Sequence, residues 1–291
     1  MAIKAIQQFQ LRTVIGTEAK AKETLRLMEE AGYDGIELCS YMIKHMSLTI
    51  RAITRLAGMP MGKSGNLDWH ALLADTNLKV VSIHQDLGTL KRVPEEAIAE
   101  AKSYGTKYIV ITGMHHFDYS DKEAVDGLIA DLNACGKRLK ADGIELLYHN
   151  HNCEFRKIDG QTAYDRIIEN TDPEYVNFEF DSYWPTEAGV NTVELMRRLG
   201  SRIKLYHIND RGSRVEGKTS SILTSDSMEL GYGNMDLKTM VDIVKENGVD
   251  AVVLESHKNW VDKSPIKSFQ LSAKFMNENV ETLVAYHTKS C

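Results

Sequence analysis

The 291-residue chain has no long apolar run and only 4 cysteines, and each shortage excludes a class of protein. A membrane helix needs roughly 18 or more consecutive apolar residues, and no stretch reaches that length; the N-terminus also lacks a signal-peptide profile. The cysteines form no Cys-x-x-Cys pair, which is typical of reduced thiols and not of a disulfide framework or a zinc knot; they are Cys39, Cys135, Cys153 and Cys291. We therefore expect a cytoplasmic protein that does not bind a membrane.

The chain also has fewer positively than negatively charged side chains, with 35 Lys and Arg against 41 Asp and Glu. The formal net charge is −6, the isoelectric point is near 5.9, and no long run of Lys and Arg occurs. Proteins that bind nucleic acids usually carry a basic stripe, so we expect no nucleic-acid partner. The chain also lacks a Gly-x-Gly-x-x-Gly turn, which disfavours a doubly wound dinucleotide-binding sheet.

Short β-rich runs alternate with amphipathic helical stretches along the whole chain. The predicted strands are residues 6–11, 35–39, 79–84, 107–112, 144–149, 176–181, 203–208 and 251–255. Helical patterns begin at Glu18, Pro94 and Lys122, and glycines suited to left-handed helix ends follow such patterns at Gly32, Gly105, Gly143 and Gly248. Without a linker or composition break, this predicts an α/β fold in which residues 1–291 form a single (β/α)₈ TIM barrel domain.

The ends of the predicted strands are unusually polar. Catalytic residues of such barrels come from the carboxyl ends of the strands, so these side chains should meet at one mouth. They are Glu37, His84, His115, His116, His149, His151, Glu154, Asp181, His207 and Glu255. Taken singly, each has an ordinary structural interpretation, which we favour for Glu37, His116 and the nearby His257. Taken together, carboxylates and imidazoles without cysteine indicate a divalent cation, with Mn²⁺ or Co²⁺ favoured, Zn²⁺ possible, and Mg²⁺ disfavoured by the nitrogen ligands.

Seven segments occur in an order that resembles a known family: QFQLRTV, GYDGIEL, YHNHNCEF, FEFDSYW, YHINDRG, LGYGNMD and VLES. The chain resembles the xylose-isomerase-like barrels, a superfamily of sugar phosphate isomerases and epimerases. The resemblance implies one divalent metal held by four side chains from strands 5 to 8. At matching positions these are His149, Asp181, His207 and Glu255.

Strand 5 departs from the family pattern, which commonly places a glutamate where this chain has His149. A metal-bound imidazole has no free lone pair, so His149 cannot also act as the base that removes a proton. His151 or Glu154 is then the nearest candidate base. Residues two apart in a strand share a face, so His149 and His151 should both point to the mouth. Alternatively, His151 is a hydrogen-bonding partner of a metal-bound carboxylate.

The YHNHxxEF stretch is similar to inosose dehydratases and to the metal-bearing subunit of C-glycoside deglycosidases. This resemblance implies removal of a proton α to a ketone, followed by loss of a β-substituent. For a 3-keto glycoside, the C2 proton and the C1 aglycone would leave. It also implies an oligomer with a second protein subunit as partner.

We expect His84, His115 and Arg211 to contact the substrate, a keto-sugar or glycoside. Arg211 would otherwise be a surface residue paired with a helix acid, and Tyr183 and Trp184 either line the sugar site or pack under a helix. One alternative function is a sugar isomerase or epimerase with the same metal site; another is a non-catalytic partner subunit. A DNA-repair endonuclease is disfavoured because Trp184 stands where that branch needs a histidine.

Overall fold

The computed structural model describes residues 2–44, 66–114, 116–215 and 222–280. Eight parallel strands form a closed barrel in chain order, and the first strand pairs with the last from Ile3↔Ala251 to Ile6↔Leu254. The strands are β1 (Ile3–Gln7), β2 (Gly35–Cys39), β3 (Lys79–Gln85), β4 (Tyr108–Ile111), β5 (Glu145–His149), β6 (Val176–Asp181), β7 (Ile203–Ile208) and β8 (Ala251–Leu254). The predicted (β/α)₈ barrel is confirmed.

Helices surround this barrel. In the described part of the chain they are Glu18–Ala31, Ser40–Ile43, Trp69–Ala74, Leu87–Arg92, Pro94–Ser103, Lys122–Lys140, Ala163–Asn170, Tyr183–Glu187, Thr192–Leu199, Leu237–Glu246 and Pro265–Asn279. The three helices predicted to begin at Glu18, Pro94 and Lys122 are confirmed. The four glycines predicted at helix ends all have positive φ, between 71° and 94°, as a left-handed residue after a helix requires. Among the helices described, we find none with the length and apolar character needed to cross a membrane.

Strand β1 is the one strand whose predicted position is wrong by more than one residue. It runs from Ile3 to Gln7, and the chain then makes a 3₁₀ turn over Gln8–Leu11. The buried side chain of Gln8 accepts the Cys39 N–H at 2.9 Å, and that of Gln10 accepts the Ser256 N–H at 2.8 Å. The polar residues that suggested a strand pattern therefore satisfy backbone donors beside β2 and β8.

The inward-facing positions of the barrel change from apolar to polar along the strands. Leu147 is followed two positions later by His149, Leu205 by His207, and Val253 by Glu255. The lower, apolar residues form a separate buried cluster inside the barrel. Residues of opposite parity, such as Phe178 and Phe180 of β6, belong to the larger core of strands and surrounding helices. The polar side chains therefore collect at the carboxyl ends of the strands, above an apolar floor.

Asp210 organises the loops after β7. Its carboxylate accepts the backbone N–H groups of Gly231 at 3.0 Å, Gly233 at 2.9 Å and Met235 at 3.2 Å. A side chain at position 233 has no room, because an added Cβ would lie 2.2 Å from Asp210 Oδ1. Nearby, Asp210–Gly212 pairs antiparallel with Asp226–Met228. The LGYGNMD segment is thus tied to the end of β7, beside the candidate site.

Candidate metal centre and active site

Four side chains from the carboxyl ends of β5 to β8 form the first candidate metal site. These are His149, Asp181, His207 and Glu255, and each offers a ligand atom within 4.8 Å of the others. All four are buried, with between 0% and 7% of their surface exposed. Two imidazoles and two carboxylates suit a divalent transition metal such as Mn²⁺, Co²⁺ or Zn²⁺. The structure brings together the four residues predicted as ligands.

A deeper grouping shares two of these histidines. His84 and Glu179 complete it with His149 and His207, again within 4.8 Å. Glu179 Oε2 lies 2.8 Å from His84 Nε2 and 3.1 Å from His149 Nδ1. Glu37 joins from β2, with its Oε2 2.7 Å from His207 Nε2. Sequence reasoning missed Glu179, although it stands two residues before Asp181 in FEFD and so shares its face of the strand.

The upper grouping is the better candidate because it opens to a cleft. This cleft has a volume of about 190 Å³, and both Asp181 and Glu255 line it. His257 also lines it and places Nε2 2.8 Å from Glu255 Oε1, so it takes part in the site. Glu37, His84 and Glu179 are not among the residues that line this cleft. A substrate in the cleft can therefore reach a cation on the upper donors.

The electrostatics of the upper donors fit a bound cation. Burial raises the pKa of Asp181 to about 7, despite the attraction of His207. Burial lowers the pKa of His149 to about 4, which keeps its imidazole neutral and able to act as a ligand. Burial also opposes protonation of His207, but the carboxylates of Glu179 and Glu37 outweigh it and raise its pKa well above the usual value. The buried carboxylates beside His207 therefore favour positive charge at this end of the barrel, either on a protonated imidazole or on a bound cation.

His151 lies next to the metal donors, two residues beyond the end of β5 at His149. Its ring centroid is 4.9 Å from that of His149 and 5.5 Å from that of Trp184. Its Nδ1 has no hydrogen-bond partner within the described ranges. Burial lowers the pKa of His151 to about 4, so the ring is neutral at pH 7. A neutral imidazole with an unused nitrogen beside the site can accept a proton.

Glu154, the other candidate base, is buried in the 3₁₀ turn Cys153–Phe155 that follows β5. One carboxylate oxygen accepts the Tyr148 hydroxyl at 3.0 Å, and the other accepts the His151 N–H at 3.0 Å and the Cys153 thiol at 3.1 Å. Neither Glu154 nor His151 is among the residues that line the cleft, but the His151 ring lies 5.5 Å from that of Trp184, which does line it. The hydrogen bonds of Glu154 hold the loop that carries His151, so the geometry favours His151 over Glu154 as the base.

The three residues predicted to contact the substrate do not lie together in the structure's described part. His84 is buried below the upper donors, with its Nε2 3.0 Å from Glu37 Oε2 as well as near Glu179. Arg211 donates from Nε to Glu187 Oε2 at 2.5 Å, which matches the alternative of pairing with a helix acid. His115 lies outside the described residues, and His116 is exposed. The contacts of His84, His115 and Arg211 with substrate stay predictions.

Two aromatic residues and an amide complete the cleft. Tyr183 and Trp184 both line it, with their rings in an edge-to-face arrangement at 5.1 Å. Asn209 also lines the cleft and donates to Ser227 Oγ at 3.0 Å, while its Oδ1 has no partner within the described ranges. The cleft thus offers an aromatic surface and a free acceptor close to the metal donors, a combination suited to a polyhydroxylated ligand.

Residues 25–279 match the family described as xylose isomerase-like TIM barrel. The chain belongs to this family. It is 26% identical over 241 residues to the inosose dehydratase of Mesomycoplasma hyopneumoniae strain J, covering 77% of this chain and 75% of the relative. It is 27% identical over 160 residues to the inosose dehydratase of Salmonella agona, covering 52% of each chain. The match thus spans about half the length of the Salmonella relative. The family and these relatives identify the chain as an enzyme.

Solved structures show the same fold at lower identity. A sugar phosphate isomerase/epimerase from Parabacteroides distasonis superposes with a TM-score of 0.73 at 19% identity, covering 94% of this chain and 92% of that chain. The IolI protein with a bound zinc atom superposes with a TM-score of 0.65 at 17% identity, covering 96% and 98%. A probable 3-DHS dehydratase, AsbF, from Bacillus anthracis gives a TM-score of 0.62 at 14% identity, covering 95% and 99%.

Proposed function

We propose that this enzyme is a divalent-metal-dependent lyase that acts on a keto-sugar. The observation that carries the proposal is the set of two imidazoles and two carboxylates that opens to the cleft beside His151. Curated relatives named inosose dehydratase support a sugar-modifying reaction that begins from a ketone. The zinc atom in the IolI neighbour supports a divalent metal in a barrel of this fold.

The residues His149, Asp181, His207 and Glu255 would hold the cation. When bound there, a divalent ion supplies positive charge that polarises a substrate carbonyl and acidifies the neighbouring C–H bond. We keep Mn²⁺ as the first candidate, with Co²⁺ and Zn²⁺ next. Mg²⁺ is disfavoured by the two nitrogen donors.

His151 takes the proton in this proposal. Its neutral ring lies beside the donors, and the Glu154 carboxylate fixes its backbone through the His151 N–H. The proton on the carbon next to the ketone moves to His151, and the C–H electron pair forms a carbon–carbon double bond. The substituent on the following carbon then leaves with its bonding electrons, so the step is a β-elimination without an external oxidant or reductant.

The finer proposal is that the substrate is a 3-keto glycoside and that the leaving group is its aglycone. The YHNHxxEF stretch and the aromatic surface of Tyr183 and Trp184 support it, since such rings can pack against an aglycone or a sugar face. The C2 proton would go to His151 and the aglycone would depart from C1. This route cleaves even a carbon-bound phenolic aglycone, provided that the ring carbon bonded to C1 takes up a proton from solvent or an acid as the bond breaks, so that the aglycone leaves as a phenolate.

The test uses the metal-loaded protein in D₂O. Each reaction is stopped with a chelator, and its proton NMR spectrum is then recorded. Three substrates are offered: a 3-keto glucoside with a phenolic aglycone, a keto-inositol and a free ketohexose. From the first substrate we expect release of the aglycone and deuterium at C2 of the recovered 3-keto glucoside, and neither with the Asp181→Ala variant. Loss of water from the keto-inositol alone would replace the finer proposal with dehydration. Epimerisation of the free ketohexose without loss of any substituent would contradict the lyase proposal.

A second protein subunit is part of the same proposal. The test compares turnover by the chain expressed alone with turnover after addition of extract from the source cells. Full activity of an isolated monomer would contradict the need for a partner.

A further inference from the structure

Two acids that are not needed to ligate the metal lie directly beneath its donors. Glu37 on β2 and Glu179 on β6 are both fully buried. Such burial of carboxylates is costly unless their oxygens are satisfied by hydrogen bonds. Here the hydrogen-bond donors are imidazoles and the Ser82 hydroxyl, and two of the imidazoles belong to the upper metal site. Glu179 Oε1 has no hydrogen-bond partner among the described residues.

These acids contact one nitrogen of each of two metal-binding histidines, and Glu179 Oε2 also lies 3.2 Å from Nε2 of His207. Glu179 Oε2 is 3.1 Å from Nδ1 of His149. Glu37 Oε2 is 2.7 Å from Nε2 of His207. An ionised carboxylate can only accept hydrogen bonds, so the nitrogen that faces it must carry the hydrogen. A neutral imidazole has one such hydrogen, and its other nitrogen then carries the lone pair that a metal needs.

The nitrogens left with lone pairs are Nε2 of His149 and Nδ1 of His207. The structure shows that Nδ1 of His207 indeed faces the upper site, because it lies 2.9 Å from Glu255 Oε2. A lone pair and a carboxylate oxygen repel each other at this distance unless positive charge lies between them. A cation on the upper donors meets this requirement when the hydrogen of His207 is directed to Glu37.

The two acids are themselves held in place. Ser82 donates its hydroxyl to Glu37 Oε1. His84 Nε2 lies 3.0 Å from Glu37 Oε2 and 2.8 Å from Glu179 Oε2, so its N–H bridges the pair. Anchoring of this kind prevents the carboxylates from turning away from the histidines that they orient.

We propose that Glu37 and Glu179 are positioning residues that set the tautomers of His207 and His149, and so direct one ring nitrogen of each histidine to the cation. The inference rests on the upper metal site of the proposed function. It also excludes simultaneous occupation of the deeper grouping, because a deep cation would need lone pairs on the same nitrogens that carry the hydrogens.

The experiment uses Zn²⁺ alone, which is diamagnetic, and protein labelled with ¹⁵N in its histidine rings. Long-range ¹H–¹⁵N spectra report which ring nitrogen carries hydrogen and which binds metal. For the wild type we expect one zinc ion per chain, hydrogen on Nδ1 of His149 and hydrogen on Nε2 of His207. This measurement needs no variant, so a misfolded variant cannot leave the proposal undecided.

Two variants of Glu179 then separate orientation from folding. Glu179→Leu removes the acceptor, and we expect zinc affinity to fall by roughly 10- to 100-fold with loss of the fixed His149 tautomer. Glu179→Gln keeps a carbonyl acceptor, and we expect it to keep the tautomer and to lose less affinity than the leucine variant. The matched control is Glu229→Gln, at another buried acid whose partners are Arg214 and the Val261 N–H. It should leave zinc affinity unchanged.

Three results would overturn the inference. They are two zinc ions per chain, metal on Nδ1 of His149 or Nε2 of His207 in the wild type, or an unchanged tautomer and affinity in a folded Glu179→Leu protein. Zinc binding and tautomers are read without substrate. A chain that shows the expected spectra but turns over no keto-sugar would therefore refute the proposed function and leave this inference standing.

Discussion

Replacing Asp181 with asparagine should stabilise the metal-free protein while it destroys the metal site. Burial raises the pKa of this carboxyl from 3.8 to about 7. A pKa difference of about 3 corresponds to roughly 4 kcal/mol of folding free energy, at about 1.4 kcal/mol for each pH unit. Asparagine has nearly the same shape, and its amide oxygen can still accept the Tyr183 N–H that Asp181 Oδ1 accepts at 2.7 Å.

The effect depends on pH in one direction. Below about pH 4, Asp181 is protonated in both the folded and the unfolded protein, so its ionisation costs nothing. Between about pH 4 and 7 the unfolded chain loses this proton while the folded chain keeps it, and stability falls as pH rises. Above about pH 7 the carboxyl is ionised in both states, and the folded protein bears the full free-energy cost of burying the charge. The advantage of Asp181→Asn should therefore grow from near zero at pH 4 to its full size at pH 8.

The assay is urea unfolding in the presence of a chelator at pH 4.5, 6 and 8, with Asp242→Asn as the exposed control on helix Leu237–Glu246. At pH 8 the expected gain of up to about 4 kcal/mol corresponds to roughly 10 °C in melting temperature. Adding metal should make the wild type at least as stable as the variant. Metal at about 1,000 times its Kd stabilises the wild type by about 4 kcal/mol and the variant by little. The reasoning would be refuted if the variant were less stable than the wild type at pH 8 with chelator. It would also be refuted if the difference in unfolding free energy did not change with pH.

Three further predictions concern the site and the packing of the barrel. Metal affinity should weaken as pH falls below about 7, because protons then compete for Asp181, whose pKa is about 7, and for His207, whose pKa is raised; zinc titrations at pH 6, 7 and 8 check this. His151→Ala should bind metal at full stoichiometry but lose exchange of the α-proton, and unchanged exchange in D₂O would remove His151 from the mechanism. Gly136→Ala should destabilise the fold by roughly 1–3 kcal/mol or more, because the added Cβ would lie 2.2 Å from the Tyr175 carbonyl oxygen. Gly127→Ala on the same helix, where nothing lies within 4 Å, is the control and should be neutral or slightly stabilising in urea unfolding.

The barrel and the polar ends of its strands were predictable because each depends on a local pattern, whereas the choice of the four upper donors as metal ligands depends on the family resemblance. Buried parallel strands are short apolar runs, and a titratable residue at the end of such a run stands out. Strand β1 was misplaced because Gln8 and Gln10 imitate the polar positions of an alternating strand. Their side chains instead bond to Cys39 and Ser256, 31 and 246 residues away in sequence. No local pattern contains that information.

The deeper acids were harder to assign for a related reason. The sequence favours a structural role for Glu37, because a single acid at the end of a strand has no visible partner in sequence. Its contact with His207 spans 170 residues. Glu179 did carry a local signal, since it shares strand parity with Asp181, but a carboxylate inside a buried strand gains meaning only when its imidazole partners are known. Arg211 likewise finds Glu187 only through folding.

The alternation along β6 separates what can change from what must persist. Phe178 and Phe180 belong to the main core, whereas Glu179 and Asp181 belong to the two groupings of metal donors. Substitutions at Glu179 or Asp181 therefore change the chemistry of the site with little effect on helix packing. Substitutions at Phe178 or Phe180 change the packing of the core with little effect on that chemistry. New reactions can therefore evolve on β6 through changes at every second residue, while the residues between them keep the fold intact.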